Sequence, residues 1–139
     1  MKLLVPVDGS PYALKALETA CDWAKSHPPA EVLILAAVPV LAELEEGRYI
    51  AEKLEKQAIT ALAQAKAKAQ ELGVSFSTLI AKGPSVAEEI VEAAKREQVD
   101  LIVIGSRGLG AKTTYFLGST ASKVVAYSPC SVMVIKGTD

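Results

Sequence analysis

Five short apolar runs that alternate with helical patterns constrain the fold of this 139-residue chain more than any other feature. The runs are Lys2 to Asp8, Glu31 to Val38, Val74 to Ala81, Asp100 to Gly105 and Cys130 to Lys136. Near-continuous apolar runs of this length are typical of strands buried on both faces of a parallel sheet. The alternation predicts an α/β fold in one domain, residues 1–139, with an open parallel five-stranded sheet and helices on both faces. Right-handed crossovers favour a doubly wound sheet, and we predict the strand order 3-2-1-4-5, with a switch point between strands one and four.

Capping residues and prolines predict four helices between these strands. Ser10 and Pro11 suit the N-cap and first position of a helix, and Ser85 with Glu88 forms a capping box. The polar, glycine-containing stretch Leu41 to Arg48 is expected to be a loop. The predicted helices run from Pro11 to before Pro28, from about Arg48 to Leu72, from Ser85 onward, and from Gly118 or Ser119 to before Pro129.

The composition argues against several classes of partner. Lysine and arginine number 15 against 16 acidic residues, for a formal net charge of −1. Since no basic run stands out, no nucleic acid partner is expected. No apolar run approaches the ~20 residues of a membrane span, so no membrane partner is expected either. The lack of a signal peptide, with Cys21 and Cys130 outside any CxxC or zinc spacing, predicts a cytoplasmic protein with two buried, reduced thiols.

Three segments are expected to meet at one end of the sheet. Open parallel sheets bind ligands beyond the carboxyl ends of their strands, at the switch point. Pro6 to Ser10 follows strand one, Val38 to Val40 follows strand two, and Gly105 to Thr120 follows strand four. The third segment is longer than most connections of its type, and long loops at the ligand end are usually functional.

The loop after strand four has residues that suit an anion. Gly105 and Gly108 allow positive φ and a close approach of the backbone to a ligand. Gly118-Ser119-Thr120 stands at a helix start, where N–H groups and the helix dipole favour phosphate. Arg107 and Lys112 supply positive charge. The loop matches neither GxGxxG nor a P-loop. Because Gly118-Ser119 also suits a simple N-cap, composition and spacing leave both interpretations open.

The spacing of the glycines resembles a known family. Gly105-x2-Gly108-x9-Gly118-Ser119 is similar to the G-2x-G-9x-G(S/T) motif of the ATP-binding branch of the universal stress protein family. VPVDGSPYALKALETA is similar to the family's first strand and helix, and DLIVIGSRG and GSTASKVVAYSPCSVMVIK look like its C-terminal half. The resemblance covers the whole chain. It implies a Rossmann-like, adenine nucleotide alpha hydrolase-like fold that binds ATP or another adenine nucleotide, with Mg²⁺, in a stress response.

The resemblance also implies roles for individual residues and a dimer. Family members commonly pair through the last strand, here Cys130 to Lys136, which implies a homodimer, and an apolar edge strand left unpaired is a liability. The implied nucleotide contacts are Pro6, Val7, Asp8 and Val38 at adenine and ribose, Gly105, Arg107 and Gly108 at the ribose and first phosphates, and Gly118, Ser119 and Thr120 at the outer phosphates.

Hydrolysis is expected to be slow at most. Phosphoryl transfer needs a group that orients the nucleophile, and the loop offers no histidine, glutamate or glutamine. Asp8 is expected near the nucleoside, with a role as cap of the first turn as the alternative. His27, the single histidine, is explained by the end of helix one. We therefore expect a regulatory nucleotide-binding protein. The alternatives are a dimeric interaction module without nucleotide, and an adenylyl-transfer enzyme, for which no signature sequence is present.

Overall fold

The structure is a computed structural model, and it describes residues 1–40, 45–108 and 117–137, without the side chains of residues 45–49. Strands and helices alternate strictly through this part of the chain. The elements are β1 (Lys2–Pro6), α1 (Pro11–Ser26), β2 (Glu31–Pro39), α2 (Glu45–Leu72), β3 (Phe76–Gly83), α3 (Val86–Arg96), β4 (Leu101–Gly105), α4 (Ser119–Tyr127) and β5 (Ser131–Ile135).

The five strands form one parallel sheet in the order β3-β2-β1-β4-β5, which confirms the predicted fold class and strand order. Strand β1 lies in the middle, with Leu4 opposite Leu33 of β2 on one side and opposite Ile102 of β4 on the other. From β1 the chain builds outward to β3, then crosses back to β4 and continues to β5. The switch point therefore lies between β1 and β4, where loops that follow neighbouring strands leave in opposite directions.

Each face of the sheet carries its own apolar core. Because side chains alternate along a strand, Leu3 and Val5 of β1 face α1 and α2, whereas Leu4 between them faces α3 and α4. Helix α2 packs through a row of small residues, Ala58, Ala61, Ala65 and Ala69. Small side chains let this helix lie close to β2, so the carboxyl edge of the sheet is held between firmly packed helices.

The predicted caps of α1 and α3 are confirmed. The Ser10 hydroxyl accepts a hydrogen bond from the Ala13 N–H at 3.2 Å, and Pro11 opens the helix. The Ser85 hydroxyl accepts from the Glu88 N–H at 3.4 Å. Both serines satisfy amides that the helix itself leaves unpaired. They fix where α1 and α3 start at the carboxyl edge of the sheet.

Helix α2 begins earlier than the sequence suggested. Its first residue is Glu45, so the expected loop from Leu41 to Arg48 is wrong for residues 45–48, and residues 41–44 lie outside the described part of the chain. Glutamate is a good helix former and is favoured near helix N-termini, which outweighs the cost of about 1 kcal/mol for the single glycine at position 47. The helix has 28 residues and ends at Leu72, as predicted.

The two cysteines differ in environment. Cys21 is fully buried in the core under α1, as predicted, but Cys130 is only partly buried, so the prediction of two buried thiols is wrong for Cys130. Burial, helped by the nearby Asp22 carboxylate, raises the pKa of the Cys21 thiol from 9.0 to about 11.

Within the described residues, no helix is both long enough and apolar enough to cross a membrane.

The pKa of Cys21 predicts a loss of stability in alkali. Between pH 9 and pH 11 the unfolded thiol ionises while the folded thiol stays protonated. The unfolded state therefore binds fewer protons, and the free energy of unfolding falls as pH rises. Between pH 8 and pH 10, the free energy of unfolding of the protein should fall by about 1 kcal/mol more than that of Cys21→Ala. Urea denaturation of both proteins across this range measures the difference, and parallel curves would contradict the prediction.

Candidate functional site

A cleft of about 540 Å³ opens at the carboxyl edge of the sheet, at the switch point between β1 and β4. Its walls come from the loops after β1 and β4, the end of β2, and helices α1 to α4. Nine of the ten residues predicted from the sequence line it, namely Pro6, Val7, Asp8, Gly105, Arg107, Gly108, Gly118, Ser119 and Thr120. The tertiary structure thus brings together segments that are about a hundred residues apart in the chain.

Asp8 stands at the centre of this edge and holds the turn after β1. Its Oδ1 atom accepts a hydrogen bond from the Ser10 N–H at 2.8 Å. Gly9, between them, adopts a φ of 89°, a conformation that glycine enters without steric cost. The capping role that the sequence left as an alternative is therefore present, through the Oδ1 atom. The side chain lines the cleft at the same time.

Gly108, the second glycine of the motif, lies against the Asp8 carboxylate. A Cβ atom added to Gly108 would lie 2.5 Å from Asp8 Oδ2, well inside van der Waals contact. With the Asp8 side chain in this position, a residue with a Cβ atom could not approach it so closely. Neither Gly105 nor Gly108 has a positive φ, so the expectation of an unusual backbone conformation is wrong. Both glycines approach other atoms of the protein closely, and the expected close approach to a ligand stays a prediction.

The first glycine lies against the start of α1. A Cβ atom on Gly105 would come within 2.9 Å of the carbonyl carbon and of Cβ of Tyr12. Two residues further on, Arg107 lies over the Tyr12 ring, with its Cζ atom 4.7 Å from the ring centroid. Arg107 and Asp8 are the charged side chains among the described residues of the cleft, so the lining carries one charge of each sign.

The last helix opens onto the cleft without a side-chain cap. Its N-cap is Gly118, whose N–H donates to the Ser106 carbonyl at 2.7 Å. The Ser106 N–H in turn donates to the Ile135 carbonyl of β5 at 2.8 Å. Ser106 thus ties the ends of β4 and β5 to the first turn of α4. Gly118 has no side chain to bond the first amides of α4, and Ser119 and Thr120 of this first turn line the cleft.

Val38 is the one predicted residue that does not line the cleft. Its side chain is only 4% exposed and packs into the core with α1 and α2. Its neighbours Ala37 and Pro39 line the cleft instead. The alternation of side chains along β2 explains the difference, because a shift of one residue moves a side chain to the other face.

Several lining residues were missed by sequence reasoning. They are Ala13 of α1, Ala37 of β2, Leu54, Gln57 and Ala58 of α2, Val86 and Ile90 of α3, Ile104 of β4, and Ala121 of α4. Pro39 and Leu117 also line the cleft, and they belong to the segments that the sequence placed at this edge. The helix starts were detectable, because every helix that follows a strand begins at the carboxyl edge. The contribution of α2 was not detectable, because Leu54, Gln57 and Ala58 lie well inside a helix that the sequence did predict, and only the tertiary packing of that helix brings them to the cleft.

The remaining candidates lie away from the cleft or outside the described chain. The His27 ring stacks on Trp23 at 4.1 Å, and its Nδ1 atom lies 2.9 Å from the Trp23 carbonyl oxygen, at the end of α1 opposite the cleft. Lys112 lies outside the described residues. Across the described residues, no group of three or more His, Cys, Asp or Glu side chains could hold a metal ion.

Comparison with known proteins agrees with this geometry. The model of the universal stress protein family matches residues 1–136. The chain belongs to the universal stress protein family. The universal stress protein YxiE of Bacillus subtilis is 37% identical over 147 residues, covering 97% of this chain and 98% of that protein. The universal stress protein UspA from Lactobacillus plantarum superposes with a TM-score of 0.84 at 30% identity, over 97% of both chains.

More distant universal stress proteins have been solved with nucleotides. The Arabidopsis thaliana protein At3g01520 contains AMP and superposes with a TM-score of 0.71 over 99% of this chain and 92% of its own. A protein from Archaeoglobus fulgidus contains dAMP and superposes with a TM-score of 0.73 over 98% of both chains. A third, solved with cAMP, has a TM-score of 0.73 over 97% of this chain and 96% of its own. At 23% identity each, these three share the fold with this chain.

The contact between Gly108 and Asp8 yields a prediction. Gly108→Ala should lower the free energy of unfolding by about 1–3 kcal/mol, the usual cost of overpacking, because the Ser10 N–H holds the Asp8 carboxylate in place. Asp8→Ser removes the obstructing oxygen and keeps an acceptor for Ser10. In the Asp8→Ser background, Gly108→Ala should therefore cost much less. Urea denaturation of the four proteins measures this coupling, and additive effects would show that the two residues do not touch.

Proposed function

We propose that this universal stress protein binds an adenine nucleotide, ATP with Mg²⁺ in the first instance, in the cleft between β1 and β4. The observation that carries the proposal is the convergence of nine of the ten predicted contact residues on one cleft. A volume of about 540 Å³ is within the usual range for small-molecule sites. The ligands of the three solved complexes, cAMP, AMP and dAMP, are adenine nucleotides, the class of ligand proposed here.

The apolar side of the cleft suits the base. Ala37 and Pro39 of β2, Leu54 and Ala58 of α2, and Val86 of α3 line it. Ligand pockets are commonly lined by apolar side chains with a few polar groups that fix orientation. We place the adenine against this side, with Pro6, Val7 and Asp8 next to the base and ribose. In this proposal Ala37 and Pro39 take the role first given to Val38.

The opposite side of the cleft suits the phosphates. The first turn of α4 offers backbone N–H groups, the hydroxyls of Ser119 and Thr120, and the positive end of the helix dipole. Gly105 and Gly108 bring the backbone close to the ribose and first phosphate, and Arg107 supplies positive charge. A divalent cation would bind mainly through the phosphates, since the described residues hold no carboxylate cage and Mg²⁺ is commonly bound this way.

The proposed role is regulatory rather than catalytic. In the described part of the cleft, Asp8 is the side chain that could serve as a base, and its Oδ1 atom is already bonded to the Ser10 amide on the nucleoside side. No described group beside Ser119 is suited to orient water on an outer phosphate. Bound nucleotide would then act as a signal in a stress response.

The proposal places the protein in the cytoplasm, which agrees with two unpaired cysteines.

Nucleotide binding is tested by calorimetry with ATP, ADP and AMP, with and without Mg²⁺, and by mass spectrometry of ligand released from denatured protein. Ser119→Ala should weaken nucleotide binding roughly threefold to tenfold, the worth of one hydroxyl contact. Ser119 is a better target than Gly118, because a Cβ on Gly118 would lie only 3.2 Å from the Ser106 carbonyl oxygen. Ser77→Ala, on the exposed side of β3, should leave binding unchanged.

Two results would contradict this proposal. Absence of released nucleotide together with absence of any calorimetric signal would favour the interaction module without nucleotide. Hydrolysis faster than roughly one turnover per minute, abolished by Ser119→Ala, would indicate an enzyme, since typical enzymes turn over at about one per second or more.

A homodimer through β5 is the second part of the proposal. Strand β5 is an edge of the sheet, and Val132, Met133, Val134 and Ile135 are each only partly buried. An apolar edge strand invites pairing with another strand. A second copy of β5 would cover both its backbone and these side chains.

The dimer is tested by sedimentation equilibrium. The protein should sediment as a dimer, and Val134→Lys should shift it to a monomer, because lysine on an edge strand opposes pairing. Ile80→Lys places the same charge on β3, the opposite edge of the sheet, and should leave the dimer intact. A monomeric unsubstituted protein, or a dimer that survives Val134→Lys and not Ile80→Lys, would contradict this assignment.

A further inference from the structure

We infer that Tyr12 is a positioning residue for the nucleotide phosphate, because its ring holds the Arg107 guanidinium at the mouth of the cleft. The inference rests on the proposed function and adds a residue to it. Tyr12 itself is not among the residues that line the cleft, whereas Arg107 is. The contact between them joins the first turn of α1 to the loop after β4.

The Tyr12 ring is a fixed surface. Tyr12 is the second residue of α1, directly after Pro11, in a turn whose N–H of Ala13 is capped by Ser10. Its backbone lies against Gly105, where a Cβ atom would come within 2.9 Å. Its ring lies against Gly137, beyond the end of β5, so closely that a Cβ there would overlap the ring. Three segments that follow strands β1, β4 and β5 therefore determine where the ring stands.

Arg107 contacts this surface with the face of its guanidinium. Its Cζ atom lies 4.7 Å from the ring centroid, within the range of a cation–π contact. The N–H groups of a guanidinium lie in its plane and not on the face that a ring covers. The ring thus restricts the orientation of a long, flexible side chain. Less conformational entropy is then lost when a phosphate binds.

The role of Tyr12 is measured through the phosphate alone. The ratio of the Kd for adenosine to the Kd for AMP isolates the contribution of the phosphate, because base and ribose contacts cancel. Tyr12→Leu keeps an apolar side chain against Gly105 and Gly137 but removes the π face. We expect it to lower this ratio roughly threefold to tenfold, while Tyr12→Phe keeps the ratio. Tyr127→Leu, an exposed tyrosine of α4, is the matched control and should leave the ratio unchanged.

A double-mutant cycle identifies Arg107 as the intermediary. Arg107→Ala should lower the ratio by itself, and Tyr12→Leu added to it should lower the ratio no further. If Tyr12→Leu fails to fold, phenylalanines with one to three ring fluorines at position 12 replace it. Fluorination weakens the ring quadrupole with little change of shape, so the ratio should fall stepwise with each fluorine.

The outcomes separate this inference from the proposed function. Equal losses of adenosine and AMP affinity in Tyr12→Leu, or additive effects in the cycle, would overturn the positioning role and leave nucleotide binding standing. A flat ratio across the fluorinated series would overturn it in the same way. If the unsubstituted protein binds neither adenosine nor any of AMP, ADP and ATP, the proposed function fails, and this inference fails with it. If it binds ATP but not AMP, the proposed function stands and this inference, which needs a contact with the first phosphate, is overturned.

Discussion

The pairing of β1 with both β2 and β4 is the constraint on which the rest of the structure depends. A central parallel strand needs a crossover on each side, and right-handed crossovers force the connections after β1 and β4 to opposite faces of the sheet. Because these connections leave toward opposite faces, a cleft remains between them whatever side chains the loops carry. The same pairing puts the carboxyl ends of β1, β2 and β4 at one edge. Residues as distant as Asp8 and Ser119 can then line one space.

The glycines of the loop after β4 act first as packing residues. Gly105 lies against the first turn of α1, Gly108 against the Asp8 carboxylate, and Gly118 close to the Ser106 carbonyl, and in each case a Cβ atom would crowd the neighbour. Each contact draws one part of the loop toward a neighbouring segment. The glycine motif can thus be read as a set of close approaches that shape the cleft. At its end, the first turn of α4 has no side-chain cap.

Hydrogen bonds at the edge of the sheet connect the cleft to β5. Ser106 donates its N–H to Ile135 and accepts from the Gly118 N–H, so the start of α4 is fixed to the end of β5. Tyr12 adds a second connection, because its ring meets Gly137 on one side and Arg107 on another. The proposed nucleotide site and the proposed dimer edge therefore share a rigid frame. A change at one of them has a short physical route to the other.

The sequence by itself determined the sheet, its strand order and most of the cleft. Buried parallel strands must be apolar, and helices in a crossover must start with caps such as Ser10 and Ser85, so both leave local patterns that can be read without coordinates. Only the tertiary structure decided which face of β2 Val38 occupies, that α2 lines the cleft, and that the Tyr12 ring contacts Arg107. These features depend on register and on contacts between segments that are distant in the chain. A difference of one residue in register changes them, and it leaves the apolar pattern of the sequence almost the same.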